Sequence, residues 1–242
     1  MFTGYPAINF YANTPLTAAV VPQHLGLRLG PRQPGKTKYL KELSTNLQNT
    51  GGTCWSTFLV DLLLYYPFID GTTTDHQPFN NPVTLPRFAD GEQLSLFVVA
   101  QGAYVGGATF QVKYTNQNGV SGRVSRTVTS NTTGTLGAII NSGNATQSPI
   151  FLPLERGDTG VRSVEEFTFN TENGGIFALV ICKVITIGPL VEGDINMTSE
   201  KDFLASTLNM PEIHEDSCLS FITISATGGQ QRHGHQAKFV WG

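Results

Sequence analysis

The sequence predicts an all-β protein built as a β-sandwich, in which a jelly roll is one arrangement, with one or two short helices and an extended N-terminal arm. Three observations point there. First, residues 157–187 read as a long β-hairpin. Val164, Phe167 and Phe169 weight its first arm, and the second, 176–187, is an almost continuous apolar run rich in β-branched residues. Such a run reads as a central strand covered on both faces. Asn173-Gly174-Gly175 between the arms tolerates the positive φ of a tight turn. Second, Leu94, Leu96 and Val98 alternate with Ser95, Phe97 and Val99, and Phe110, Val112 and Tyr114 alternate with Gln111, Lys113 and Thr115. That is the period of a strand. Third, the stretches that read as strands number roughly eight to ten, with two helices beside them, which fits a β-sandwich.

The elements follow in order. Residues 1–50 read as irregular, with Ile8, Phe10 and Val20-Val21 as short strands at most. Pro15, Pro22, Pro31 and Pro34, with Gly26, Gly30 and Gly35, interrupt regular structure there. This lead is expected to be an arm, lying on a neighbouring subunit or wrapping its own domain, and residues 51–242 are expected to form a single β-sandwich domain. Residues 53–66 predict a helix. Trp55, Phe58, Leu59, Leu62, Leu63 and Tyr66 fall on one helical face, Thr53 stands at the cap and Pro67 follows the end.

From 70 to 91 the prolines at 78, 82 and 86 predict loop. Strands follow at 93–99 and 110–115. Asn118-Gly119 predicts a turn into 120–128, with Val124 and Val128 inward and Arg123 and Arg126 remaining polar. Short strands are expected at 136–140 and 150–154. After the hairpin, Ser199 predicts the cap of a second short helix ending before Pro211. Residues 219–225 and 236–241 close the chain as strands, joined by a polar loop at 228–234.

Charged residues make up 14% of the 242-residue chain against 40% hydrophobic. The charged share is well below the usual quarter or so, while the apolar content is enough for a large core, which excludes a disordered chain. The net charge of −3 comes with no basic run beyond Lys36, Lys38 and Lys41, so a nucleic-acid partner has no electrostatic support. Cys54, Cys182 and Cys218 lack paired spacing and are expected to be buried free thiols. The first ten residues lack a basic segment followed by an apolar run, and no stretch is long enough for a membrane helix, so neither signal peptide nor membrane partner is expected. The sequons at Asn131, Asn144 and Asn196 are expected to be chance matches.

Candidate chemistry is sparse. His233 and His235 would share one face of a strand, as two metal ligands do, with His214, Glu212, Glu215 and Asp216 as further donors. No carboxylate or histidine follows them, so the pair reads as part of a polar loop. Glu165, Glu166 and Asp158 suggest paired carboxylates, but adjacent strand residues point to opposite faces and cannot flank one bond. Asp61 is a lone charge in an apolar stretch and needs a partner, for which Arg87 and Arg162 are candidates. Residues 102–107 are glycine-rich but lack the following helix of a phosphate cradle. No catalytic, cofactor-binding or metal residue is therefore assigned, and no cofactor is expected.

Several segments together resemble a group of tailed-bacteriophage virion structural proteins. They are LLLYYPFIDGTTTD, NPVTLPRFADGEQ, FQVKYTNQNGVSGRVS, FLPLERGDTGVRSVEEFTF, GIFALVICK and the terminal FVW, spread from about residue 51 to Trp241. The resemblance implies a non-enzymatic particle component made in the host bacterial cytoplasm, with capsid decoration or cementing as its role. Its implied partner is the major capsid protein, and an apolar arm laid on a neighbouring copy adds the expectation of a homo-oligomer, a trimer if it matches the local symmetry of a capsid lattice. A tail or fibre component binding host glycans is the alternative, and a cupin-like metalloenzyme the third.

Overall fold

A computed structural model of the chain describes residues 10, 14–31, 33–47, 54–132, 136–140, 150–188, 198–205, 209–225 and 233–242. For residues 47, 54–56, 224–225 and 233 it describes the backbone alone. The strands are β1 (Ala19–Val20), β2 (Lys38–Leu47), β3 (Cys54–Asp70), β4 (Gln77–Pro78), β5 (Leu94–Ala100), β6 (Thr109–Asn116) and β7 (Arg123–Val124). They continue with β8 (Val128–Thr129), β9 (Val161–Phe169), β10 (Ile176–Ile187), β11 (Thr198–Asp202), β12 (Glu212–Ile213), β13 (Cys218–Ser225) and β14 (His233–Trp241). The fold is all-β. Among the described residues the helical content is one 3-10 turn, Gln23–Leu25, and no helix is long and apolar enough to cross a membrane.

The chain divides into two compact units at 21/22, 61/62 and 183/184. The first holds the described residues of 10–21 and 62–183 and is a β-sandwich. One of its sheets has the order β1-β3-β10-β5, and the other has β4-β9-β6-β7 with β8 also on β6. Side chains from both sheets form one core. Leu64, Tyr66 and Ile69 of β3, Leu96 and Val98 of β5, and Phe177, Leu179 and Ile181 of β10 pack with Phe110, Val112 and Tyr114 of β6 and with Val161, Val164, Phe167 and Phe169 of β9. A chain of rings runs through it. Phe110 stacks on Phe167 at 5.2 Å, Phe169 lies edge-on to both, and Phe177 links Phe169 to Tyr104.

The second unit holds the described residues of 22–61 and 184–242. Here β2 is central. It pairs with β14 along its length and with β11 and β12. Leu40 and Leu43 of β2 join Leu59, Phe203, Ile213 and Leu219 in a smaller core, against which Phe221, Ala237 and Phe239 pack.

Several expectations hold. β10 is buried on both faces from Phe177 to Cys182. β6 alternates, with Phe110, Val112 and Tyr114 inward. Cys182 and Cys218 are buried free thiols, while the side chain of Cys54 and the residues Asn144 and Asn196 lie outside the described set.

Others are corrected. The expected helix at 53–66 is strand β3. Leu62, Leu63, Leu64, Tyr65 and Tyr66 are all buried, so the apparent helical face was a subset of a run with no polar side, and such a run carries no period. Pro67 does not stop a helix; its carbonyl accepts the N–H of Leu16. The expected helix after Ser199 is strand β11, whose Asp202 accepts the N–H groups of Leu204 and Ala205 in the following turn.

Residues 157–187 are not a hairpin. β9 pairs with β4 and β6, and β10 pairs with β5, so the turn at 170–175 carries the chain between sheets. Gly174 and Gly175 do adopt positive φ there. Val124 is exposed rather than inward, because Ser125 occupies the next ladder position and exchanges hydrogen bonds with Val112. Residues 136–140 and 150–154 lie along β5 through isolated bonds, such as Ile140 N to Val98 O and Leu152 N to Leu96 O, and form no strand.

The lead at 1–50 is only partly irregular. Residues 38–47 are β2, and Phe10, Ala18, Val21 and Leu29 are buried in the chain's own packing.

Candidate functional site

The densest polar cluster lies in the first unit, where β6, β7 and the 153–160 loop meet. β6 places Tyr114 and Asn116 next to Asp158. The Tyr114 hydroxyl donates to Asp158 Oδ2 at 2.7 Å, and Asn116 Nδ2 donates to Oδ1 at 2.7 Å. Arg123 at the start of β7 donates Nε to Asp158 Oδ2 at 2.9 Å and pairs through Nη1 with Glu155 at 3.2 Å. The Glu155 N–H in turn donates to the Tyr114 oxygen.

Electrostatics follow from this packing. Burial pushes the Asp158 carboxyl up, but the hydrogen bonds from Arg123, Tyr114 and Asn116 and the Arg123 charge outweigh it and hold the group below the usual carboxylate range. Tyr114 is pushed well above its ordinary value, first by burial and then by its bond to the Asp158 carboxylate. Arg123 is pushed up chiefly by its bond to Asp158. Each group is held in its ordinary charge state. That is the condition of a structural lock, whereas acid–base catalysis needs a group tuned toward neutrality.

The other carboxylates proposed from the sequence are also engaged. β9 contains two bulges. Lys113 and Tyr114 face Glu166 and Val164, leaving Glu165 as an extra residue, and Thr115 and Asn116 face Ser163 and Val161, leaving Arg162 as another. Glu165 accepts from Thr115 Oγ1 at 2.8 Å and from the Gly122 N–H at 3.0 Å. Glu166 pairs with the exposed His76 at 2.7 Å. Thus Glu165, Glu166 and Asp158 hold three different sets of donors and do not flank a common space.

The glycine-rich stretch is likewise engaged. Gly102 N–H donates to Ile176 O, Val105 N–H to Asn173 O, Gly106 N–H to Asn173 Oδ1 and Gly107 N–H to Ser130 O. Those amides serve protein acceptors, so the stretch is not a phosphate cradle.

In the second unit, His233 and His235 lie on β14, not in a loop ahead of it. His235 sits between two hydroxyls, Thr45 at 3.3 Å from Nδ1 and Thr223 at 3.1 Å from Nε2, and stacks on Phe221 at 4.5 Å. Glu212 is on β12, and Glu215 reaches toward Lys38 instead of the histidines. Among the described residues no three His, Cys, Asp or Glu side chains form a metal-sized group.

Asp61 is buried, with its carboxylate accepting from Ser217 Oγ and the Cys218 N–H, both at 2.9 Å. Arg162 does not serve it. The Nε of Arg162 donates to the carbonyls of Asp90 and Gln117.

Sequence reasoning missed Lys38. Its ammonium is buried 4.4 Å from the Trp241 ring centre and 3.9 Å from Glu215 Oε1. A lysine beginning a strand gives no signal of burial, since the register that sets Trp241 opposite it comes from the far end of the chain. The Tyr114–Asp158–Arg123 contacts were hidden for the same reason. No known protein family, curated protein or solved structure matches the chain.

Proposed function

We propose that the chain is a non-enzymatic bacteriophage virion structural protein, a decoration or cement protein that binds across major capsid subunits and associates with copies of itself. One observation carries the reading. Five of the six segments that resemble phage virion proteins, at 62–75, 81–93, 110–125, 151–169 and 175–183, fall within one compact unit, where they supply strands of both sheets and most of the shared core, while the short terminal FVW lies in the other unit. The likeness therefore lies mainly in one folded body. Within those segments the carboxylates of Asp158 and Glu165 and the Arg123 guanidinium are engaged in internal hydrogen bonds, which suits a scaffold that presents a surface. The second unit adds a further sheet built on β2.

The test is a copy-number measurement on purified, emptied heads by quantitative mass spectrometry. Hundreds of copies per head are expected. A few copies confined to a vertex or tail tip would replace the cement role with a connector or fibre role, and absence from particles would end the reading.

A further inference from the structure

We infer that Arg162 is an anchor for a carboxylate, and that its guanidinium fork receives an acidic side chain of a partner protein. This deepens the assembly reading above and rests on it for the identity of the partner.

The argument begins with the bulge. Arg162 is an extra residue of β9, placed between Val161 and Ser163, which face Asn116 and Thr115. Bulges re-aim a side chain out of the pleat. Here the aim is fixed by one nitrogen. Nε donates to Asp90 O at 3.1 Å and to Gln117 O at 2.9 Å, so two loops hold the guanidinium from its inner edge. Nη1 and Nη2 have no hydrogen-bond or ion-pair partner among the described residues, and the side chain is exposed. The free edge offers parallel N–H groups, the geometry that a carboxylate meets with two bonds.

The surrounding acids do not compensate it. Asp158 is held by Tyr114, Asn116 and Arg123, and Glu165 by Thr115 and Gly122. Glu92 Oε2 accepts from Thr159, and Asp90 Oδ1 from the Glu92 N–H. The approach is kept open by two glycines. A Cβ on Gly91 would meet Arg162 Cγ at 2.8 Å, so the stem lies against bare backbone. At Gly119, φ is +75° and a Cβ would stand 3.5 Å from Nη1, over the fork.

The surroundings favour a protein carboxylate over a sugar acid. Val120, on the loop that holds Nε, is 51% exposed. Arginine is among the residues enriched at protein interfaces, and the exposed Val120 adds apolar surface on the same loop. A sugar face calls for a flat open ring, whereas Phe88 of the adjoining loop is half-buried with Lys183 Nζ over it.

The test uses the full chain and two labelled ten-residue peptides, one rich in glutamate and one with glutamine in its place, at low ionic strength by fluorescence anisotropy. The glutamate peptide is expected to bind about tenfold more tightly. Arg162→Lys keeps the charge without the fork, and Gly119→Asp supplies an internal carboxylate from a residue type that tolerates positive φ. Both are expected to abolish the preference while keeping a cooperative melt, lowered by the lost Nε bonds in the first and by backbone strain at residue 119 in the second. If Arg162→Lys unfolds, Gly119→Asp decides. Equal binding of both peptides, or variants that behave as wild type, would overturn the anchor. Tighter binding of an oligoglucuronate than of the glutamate peptide would overturn the protein partner.

Emptied heads give the second arm. Loss of head binding in both variants supports the anchor. Wild type and variants that bind heads equally overturn it and leave the virion reading standing. A wild type that prefers the glutamate peptide yet binds no heads keeps the anchor and removes the virion reading.

Discussion

Asp61 Oδ1 accepts the main-chain N–H of Cys218 at 2.9 Å, joining residues 157 apart in sequence. Ser217 Oγ donates to the other oxygen. A buried carboxylate that receives a backbone amide fixes where β13 begins, because that amide has no solvent to replace the bond. Asp61→Ala removes both bonds and leaves the Cys218 N–H without this acceptor. We expect a loss of about 3 kcal/mol, the scale of hydrogen bonds to a charged group, and a smaller loss for Asp61→Asn, which keeps one acceptor. Urea unfolding of both variants checks the order. Equal losses would mean that the charge contributes nothing beyond shape.

Neighbouring leucines test the strand assignment of β3. Leu62 and Leu63 are adjacent and both are fully buried. On a strand they point to opposite faces, so both faces must be packed. Leu62→Ala and Leu63→Ala should each cost about 2–5 kcal/mol, the range for large-to-small core changes. Denaturant melts that show one variant near wild type would indicate that one face of β3 is open.

Acid should weaken the Asp158 lock. The folded-state pKa of this carboxyl lies below its ordinary value. Its stabilisation is therefore complete above the unfolded pKa of about 4 and is lost as pH falls through the lower folded value. Asp158→Asn should be less stable than wild type by a constant amount near neutrality, with the gap closing below about pH 4. Unfolding free energies measured across that range decide the point. A gap that widens on acidification would contradict the assignment.

Truncation tests the N-terminal lead. β1 pairs with β3, and Phe10, Ala18 and Val21 are 1%, 3% and 2% exposed. Removing residues 1–21 exposes what they cover. At about 1.5–3 kcal/mol for each large apolar side chain, the loss from Phe10 and Val21 is about 3–6 kcal/mol. Calorimetry should show a lowered melting temperature. A truncated chain that melts with the full one would return these residues to a role outside the fold.

The parts of the fold legible in the sequence were those where one strand carries its own pattern. β6 shows its alternation, and β10 shows the unbroken apolar run of a strand covered twice. β9 was harder, because its inward residues Val161, Val164, Phe167 and Phe169 are spaced by three, three and two across the bulges at Arg162 and Glu165. β3 was read as helix because a run without a polar side fits either period. The pairing of β9 away from β10 is a choice between sheets, and no local residue encodes it. The candidate site was half visible. Asp158, Glu165 and Glu166 stood out as carboxylates, while their donors Tyr114, Thr115, Arg123 and His76 were brought to them by register.

The pairing of β2 with β14 also sets a schedule for synthesis. Leu47 lies opposite His233, and Lys38 opposite Trp241. At bacterial or eukaryotic rates of about 5–20 residues per second, the ribosome needs about 10–40 s to deliver β14 after β2 has emerged. Throughout that interval β2 lacks its β14 partner, while β6 and β9 of the first unit are made within it. The second unit therefore completes its sheet only after translation has passed residue 241, and nascent chains stalled before residue 233 should draw chaperones to β2.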